Sequence, residues 1–142
     1  MRILNFGSLN IDNVYAVDHF IRPGETMSSL GMEVFCGGKG LNQSIAMARA
    51  GAQVWHAGAV GRNDGKKLLE LLAESGVNTD FVRKTDGVSG HTIIQVDKNG
   101  QNCILLFGGA NQEITPGQVD ETLAHFEEGD ILLLQNEING LA

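Results

Sequence analysis

FCGGKGLNQSIAMARAG, residues 35–51, is the stretch on which the fold turns. Gly37, Gly38 and Gly40 surround Lys39, and small or apolar residues then run on to Gly51. The stretch from Met27 to Cys36 ahead of it reads as a strand, and Leu41 to Ala50 as a helix that Gly51 closes. A lysine among glycines at the mouth of a helix suggests phosphate, and spacing tests that idea. A P-loop requires a glycine five residues before its Gly-Lys pair and Ser or Thr after the lysine. Here those places hold Glu33 and Gly40. A dinucleotide fingerprint begun at Gly38 finds Gly40 but meets Gln43 where its third glycine belongs.

With both nucleotide patterns excluded, the chemistry of the loop remains. Glycines allow a ligand close to the backbone, and the first turn of a helix offers unpaired N–H groups. Lys39 adds three donors, and Asn42 adds donors and an acceptor. That set suits a polyhydroxylated ligand as well as phosphate. A tight strand-to-helix turn with a surface lysine is the plain alternative.

Upstream, RILNFGSL reads as a buried opening strand ended by Gly7-Ser8, and NVYAV as a further strand. In GSLNIDNV, Asn10 and Asp12 are two apart, so on an extended backbone they point the same way and can grip one ligand. Taken alone, an ordinary capped loop is the plainer reading of the pair. Downstream, QVWHAGAVG is a buried-strand candidate. Asn63 or Asp64 can cap a helix whose Leu68, Leu69 and Leu72 share a face and which Gly76 closes. This alternation argues for an α/β fold with a parallel sheet.

HTIIQV and CILLF around Asn99-Gly100 read as a hairpin. Thr115, Pro116 and Gln118 mark the start of a helix with a capping box and a stripe of Val119, Leu123 and Phe126. DILLLQNE is expected to be a core strand, although only five residues follow Glu137 in this 142-residue chain.

Composition narrows the function classes. The chain is 42% hydrophobic, enough for one domain with a core. A net charge of −7 argues against nucleic acid or an anionic membrane as partner. No apolar run reaches membrane length, and the start lacks a signal-peptide layout. Cys36 and Cys103 form no metal-type spacing with each other or with His19, His56, His91 or His125, so free thiols in a cytoplasmic setting are expected.

Taken in order, GSLNID, RPGET, GGKGLNQS, FGGANQEIT and LLLQNE resemble the N-terminal half of a ribokinase-like (PfkB family) carbohydrate kinase. Gly37, Gly38, Gly40, Asn42, Ser44, Gly51 and Gly61 fit the family's first signature without a gap, and GGKG followed by Asn and Gln leans to its ribose-phosphorylating members. The resemblance implies a mostly parallel sheet flanked by helices. A small β-sheet lid would come from strands near 14–17, 27–35, 91–97 and 102–107, with residues 1–142 forming the N-terminal part of the domain and the C-terminal half absent.

It also implies a site. Asn10, Asp12, Gly38, Lys39, Gly40, Asn42 and Glu137 would hold sugar hydroxyls, and Ile94 of the lid would cover the sugar's apolar face. Ile11 and Leu41 stand where the family often has alanine and would narrow the pocket. The implied activity is ATP-dependent phosphorylation of D-ribose to D-ribose 5-phosphate, with Mg2+ and a monovalent cation such as K+, in a homodimer joined through the lid. The family's catalytic aspartate and ATP pocket lie in the other half. Glu128-Gly129-Asp130 is a turn, so no catalytic residue, metal ligand or tightly bound cofactor is expected in this chain. A fructokinase-like or nucleoside-kinase-like specificity, or a non-catalytic sugar-binding or dimerising protein, is the alternative.

Overall fold

A computed structural model describes residues 1–140. β1 (Ile3–Phe6) is the apolar run after Arg2. It pairs in parallel with β4 (Val54–Gly61) on one side and β8 (Ile131–Leu134) on the other, while β5 (Val77–Thr85) flanks β4. The resulting sheet has the order β5-β4-β1-β8 with every pair parallel. Parallel neighbours need crossovers, and α1 (Lys39–Arg49) and α2 (Lys66–Glu74) supply them.

Strand side chains alternate in direction, so the sheet buries two separate clusters. On one face Leu41 and Ile45 of α1 and Leu68 and Leu72 of α2 pack with Leu9, Val54, Val60 and Val77. On the other, Leu4, Phe6, Ala57 and Ala59 meet Ala110, Ile114 and Ile138, with Val119 and Phe126 at the margin. Helices therefore flank the sheet on both sides, as expected of the α/β reading.

Four further strands build a second, mixed sheet of order β3-β2-β6-β7: β2 (Asn10–Ala16), β3 (Gly31–Gly37), β6 (Gly90–Val96) and β7 (Asn102–Phe107). β2 runs parallel to β6, and the outer pairs are antiparallel. β2 begins at Asn10 rather than near residue 14. β3 begins at Gly31 rather than 27, because its partner β2 ends at Ala16, which faces Gly31. Residues 27–30 belong to the connection around Gly24, whose φ is +78°. The sheet leaves Val34, Phe35, Ile104, Leu105 and Phe107 half exposed or more.

Several local expectations change. Residues 77–85 form a strand that the sequence reading did not anticipate. Asp64 does not cap α2, whose N-cap is Gly65 without a side-chain bond. Its carboxylate instead accepts from the Ser89 N–H and hydroxyl at the start of β6. Thr115 does cap α3 (Pro116–Leu123), but the capping box is only half made. The Gln118 amide turns inward and donates to the Gly58 carbonyl at 2.7 Å. Gln118 and Thr122 are thereby the buried residues of α3, while Leu123 stays 37% exposed. β8 is an edge strand, with Ile131, Leu132 and Leu134 exposed.

Candidate functional site

The segment Gly7–Leu9 carries the chain from one sheet to the other, and the site is assembled around it. The first turn of α1 lies directly against it. A Cβ on Gly40 would come within 2.5 Å of the Gly7 carbonyl carbon, and one on Gly38 within 2.8 Å of the Ser8 oxygen. Gly38 also has φ +99°, a torsion that side chains disfavour. These glycines thus serve the close approach of two backbones, a need that precedes any approach of a ligand.

The α1 N-terminus is not an open anion site. The Leu41 N–H donates to the Ser8 carbonyl at 3.0 Å, the Asn42 N–H to the Gly38 carbonyl at 3.1 Å, and the Gly40 N–H leans on the Ser8 hydroxyl at 3.4 Å. Two of the donors expected to be unpaired, on Gly40 and Leu41, are thus spent inside the chain, which leaves little of the cradle a nucleotide phosphate needs.

Lys39 instead reaches across the segment. Its Nζ donates to Glu137 Oε1 at 2.7 Å, and the Ser8 hydroxyl donates to Glu137 Oε2 at 3.0 Å. Burial pushes the Glu137 carboxyl up, but the bonds from Lys39 and Ser8 outweigh it and hold it below the usual carboxylate range. Glu137 is therefore an anion at neutral pH, paired with a lysine whose side chain is 74% exposed. Gln135, just past β8, accepts from the Ser8 N–H and fixes the same segment from the other side.

Asn10 and Asp12 stand two apart on β2, on one face of the second sheet. Thr92, in register with Asp12 on β6, donates its hydroxyl to Asp12 Oδ1 at 2.7 Å. Asn10 is held by Asn111, which donates to Asn10 Oδ1 at 2.7 Å while also bonding both the N–H and the carbonyl of Leu9. Gly37 lies beside the Asp12 carboxylate, where any Cβ would clash. Ile94 is two residues beyond Thr92 on that face, half-buried between Val14 and Ile104 in register.

The fold thus brings Lys39 and Glu137 into contact and sets Asn10, Asp12, Gly38 and Gly40 around the same Gly7–Asn10 backbone. Asn42 lies one turn into α1, exposed. Ser8, Thr92, Asn111 and Gln135 shape the site as well. Asn111 and Gln135 sit inside FGGANQEIT and LLLQNE, the only signal that could have found them. Ile11 and Leu41 do not narrow the pocket: Leu41 is 1% exposed in the core, and Ile11 packs against that cluster on the sheet face opposite Asp12.

Pairs of carboxylates and a lysine around glycines can accept from and donate to hydroxyls, but among these residues none is placed as a free base beside an anion hole. A groove of about 600 Å3 lies elsewhere, between β5 and α3. Its charged lining residues Asp80, Arg83 and Glu121 are exposed, and Arg83 turns to the Thr115 hydroxyl.

The sequence model of the pfkB family carbohydrate kinase matches residues 2–139. A ribokinase of Haemophilus influenzae is 35% identical over 133 residues, covering 92% of this chain and 44% of that protein. The solved ribokinase of Thermotoga maritima superposes with a TM-score of 0.86 at 41% identity, over 96% of this chain and 46% of that one. The ribokinase of Cryptococcus neoformans var. grubii, in complex with ADP, gives 0.82 at 40% identity, over 97% and 43%. The chain spans less than half the length of these relatives.

Proposed function

The chain belongs to the pfkB family of carbohydrate kinases, and on that premise we propose that it is the sugar-holding half of an enzyme that phosphorylates D-ribose to D-ribose 5-phosphate. The Lys39–Glu137 contact at 2.7 Å, beside Asn10 and Asp12 on the adjoining backbone, carries the reading. A sugar hydroxyl replaces part of that ion pair, donating to the ionised Glu137 and accepting from Lys39. Asp12 accepts from further hydroxyls. Asn10, Asn42 and the Gly38 and Gly40 backbone complete the ring, and Ile94 covers the apolar face.

In the whole protein, ATP with Mg2+ supplies the phosphoryl group, and a monovalent cation such as K+ assists. Those groups and the catalytic base are supplied from outside these 142 residues, so this chain alone does not turn over. The protein works in the cytoplasm, consistent with two free thiols, and pairs with a second copy through the second sheet. The apolar side chains that sheet exposes support the pairing. Ile11 and Leu41 pack into the core and leave the pocket clear, and the ribose reading over a fructokinase-like one rests on the likeness to ribokinases.

Calorimetric titration of the chain with D-ribose tests the first claim. Binding is expected in the wild type and lost in Asp12→Asn and Lys39→Ala, both of which keep the fold. Absent binding of ribose with binding of D-fructose moves the specificity. A coupled ADP-release assay is expected to stay at background, and ribose-dependent turnover abolished by Asp12→Asn would refute the inactivity of the isolated half.

A further inference from the structure

Beneath the glycine-lysine loop three polar side chains are fully buried where a core would ordinarily be apolar: Asn5 on β1, Ser44 on α1 and His56 on β4. Their hydrogens can be assigned by elimination. His56 Nε2 lies 3.0 Å from the Gly7 carbonyl, which only accepts, so Nε2 carries the proton and Nδ1 is a bare acceptor. The Ser44 hydroxyl, 2.8 Å from Nδ1, must donate to it. Its oxygen in turn accepts from Asn5 Nδ2 at 2.9 Å, and the same amide donates to the Gly40 carbonyl at 3.0 Å. Two arms therefore leave the Asn5 amide: one donates directly to the Gly40 carbonyl, and the other runs through Ser44 and His56 to the Gly7 carbonyl.

Those two carbonyls belong to the two backbones that meet at the site. Gly40 adjoins Lys39, and Gly7 adjoins Ser8, which bonds Glu137 and receives Leu41. The arrangement has a cost that packing alone does not explain, because Asn5 Oδ1 is buried with no donor. Three apolar residues of similar volume would avoid that penalty. What the polar chain supplies, and apolar packing does not, is a fixed distance and direction between the Gly7 and Gly40 carbonyls.

We propose that Asn5, Ser44 and His56 are positioning residues that set the spacing of Lys39 and Glu137, and so the affinity for sugar, by locking the Gly40 carbonyl to the Gly7 carbonyl. This rests on the sugar-holding reading above. None of the three touches sugar. The groups facing His56 are neutral: Ser44 from α1, the Gly7 carbonyl just past β1, and Gly58 on its own strand.

Nitrogen-15 NMR of the 142-residue chain provides the test. In the wild type His56 is expected as the neutral Nε2–H tautomer, and an Nδ1–H tautomer would overturn the proposal whatever the variants do. Ser44→Ala and His56→Phe are then compared with His56→Gln, which retains a donor toward Gly7. The first two should shift the Ser8, Lys39 and Gly40 amides and weaken D-ribose binding about tenfold, the size of one or two lost hydrogen bonds. His56→Gln should recover most of that loss. Amide shifts confined to the interior of α1 and β4, or unchanged affinity of the folded variants, would make the chain purely structural. If wild-type chain binds no ribose, the sugar reading fails. The tautomer and the Ser8, Lys39 and Gly40 shifts then still decide whether the chain positions the loop.

Discussion

Acid should find His56 before it finds the rest of the fold. The imidazole is fully buried, and that burial lowers its pKa from the ordinary 6.5 to about 4, with the Gly7 carbonyl acting weakly in the opposite sense. The folded state therefore holds His56 neutral while the unfolded chain charges it below pH 6.5. Its contribution is complete above pH 6.5 and is lost as the pH falls toward 4, because the unfolded state alone takes up a proton in that window. A displacement from 6.5 to about 4 corresponds to a loss on the order of 3 kcal/mol. About 2.5 kcal/mol of it is already gone at pH 4.5. That is a large part of the stability of a small domain. Urea unfolding followed by the single tryptophan, Trp55, at pH 7.5 and 4.5 measures it. His56→Phe serves as the reference, so that every other titrating group cancels. The wild type should lose about 2.5 kcal/mol more than the variant over that interval. Parallel losses would show that His56 is not held neutral and would remove the basis for the tautomer assignment.

Two further outcomes follow from packing. Gly40→Ala places a methyl against the Gly7–Ser8 backbone, which cannot step aside as a side chain would. It should cost about 1 to 3 kcal/mol and lower the midpoint of thermal unfolding measured by circular dichroism; an unchanged midpoint would show that α1 and the Gly7–Leu9 segment are free to separate. Ile104→Lys combined with Leu105→Lys, one charge on each face of the second sheet, should convert a dimer to a monomer in light scattering without loss of helical signal. A dimer that survives both changes does not use this sheet.

The two-sheet architecture could be read from the sequence where chemistry and period agreed. The Gly7, Gly51 and Gly76 breaks and the Leu68/Leu72 spacing placed β1, α1 and α2, because glycine and apolar period are local signals. β5 was illegible because VNTDFVRKT is the polar edge of its sheet, and an edge strand rich in charge carries no apolar run. Gln118 and Asp64 misled for a related reason. Each has the right residue type for a helix cap, yet each satisfies a distant backbone group, Gly58 and Ser89, that only the tertiary structure brings near.

The site divides in the same way. Asn10, Asp12 and the glycine-lysine run advertise themselves by spacing within a few residues. Asn111 clamps Leu9 across 102 positions, and Gln135 holds Ser8 across 127, so neither has a local signal. The Gly38 and Gly40 positions were legible as glycines, but their reason was not. The sequence suggested room for a ligand, whereas the geometry shows room for Ser8.

The place of β1 in its sheet also governs how this polypeptide must be made. β1 leaves the ribosome before the β4 and β8 between which it sits, and the Arg2–Asp130 pair that fastens its lower end closes a span of 128 residues. At ordinary translation rates, roughly 6 to 26 s separate the synthesis of those two residues. Throughout that interval one edge of this central strand stays unpaired and open to other chains. High contact order of this kind slows folding as well, so expression yield should depend more on temperature and elongation speed than on the stability of the finished molecule.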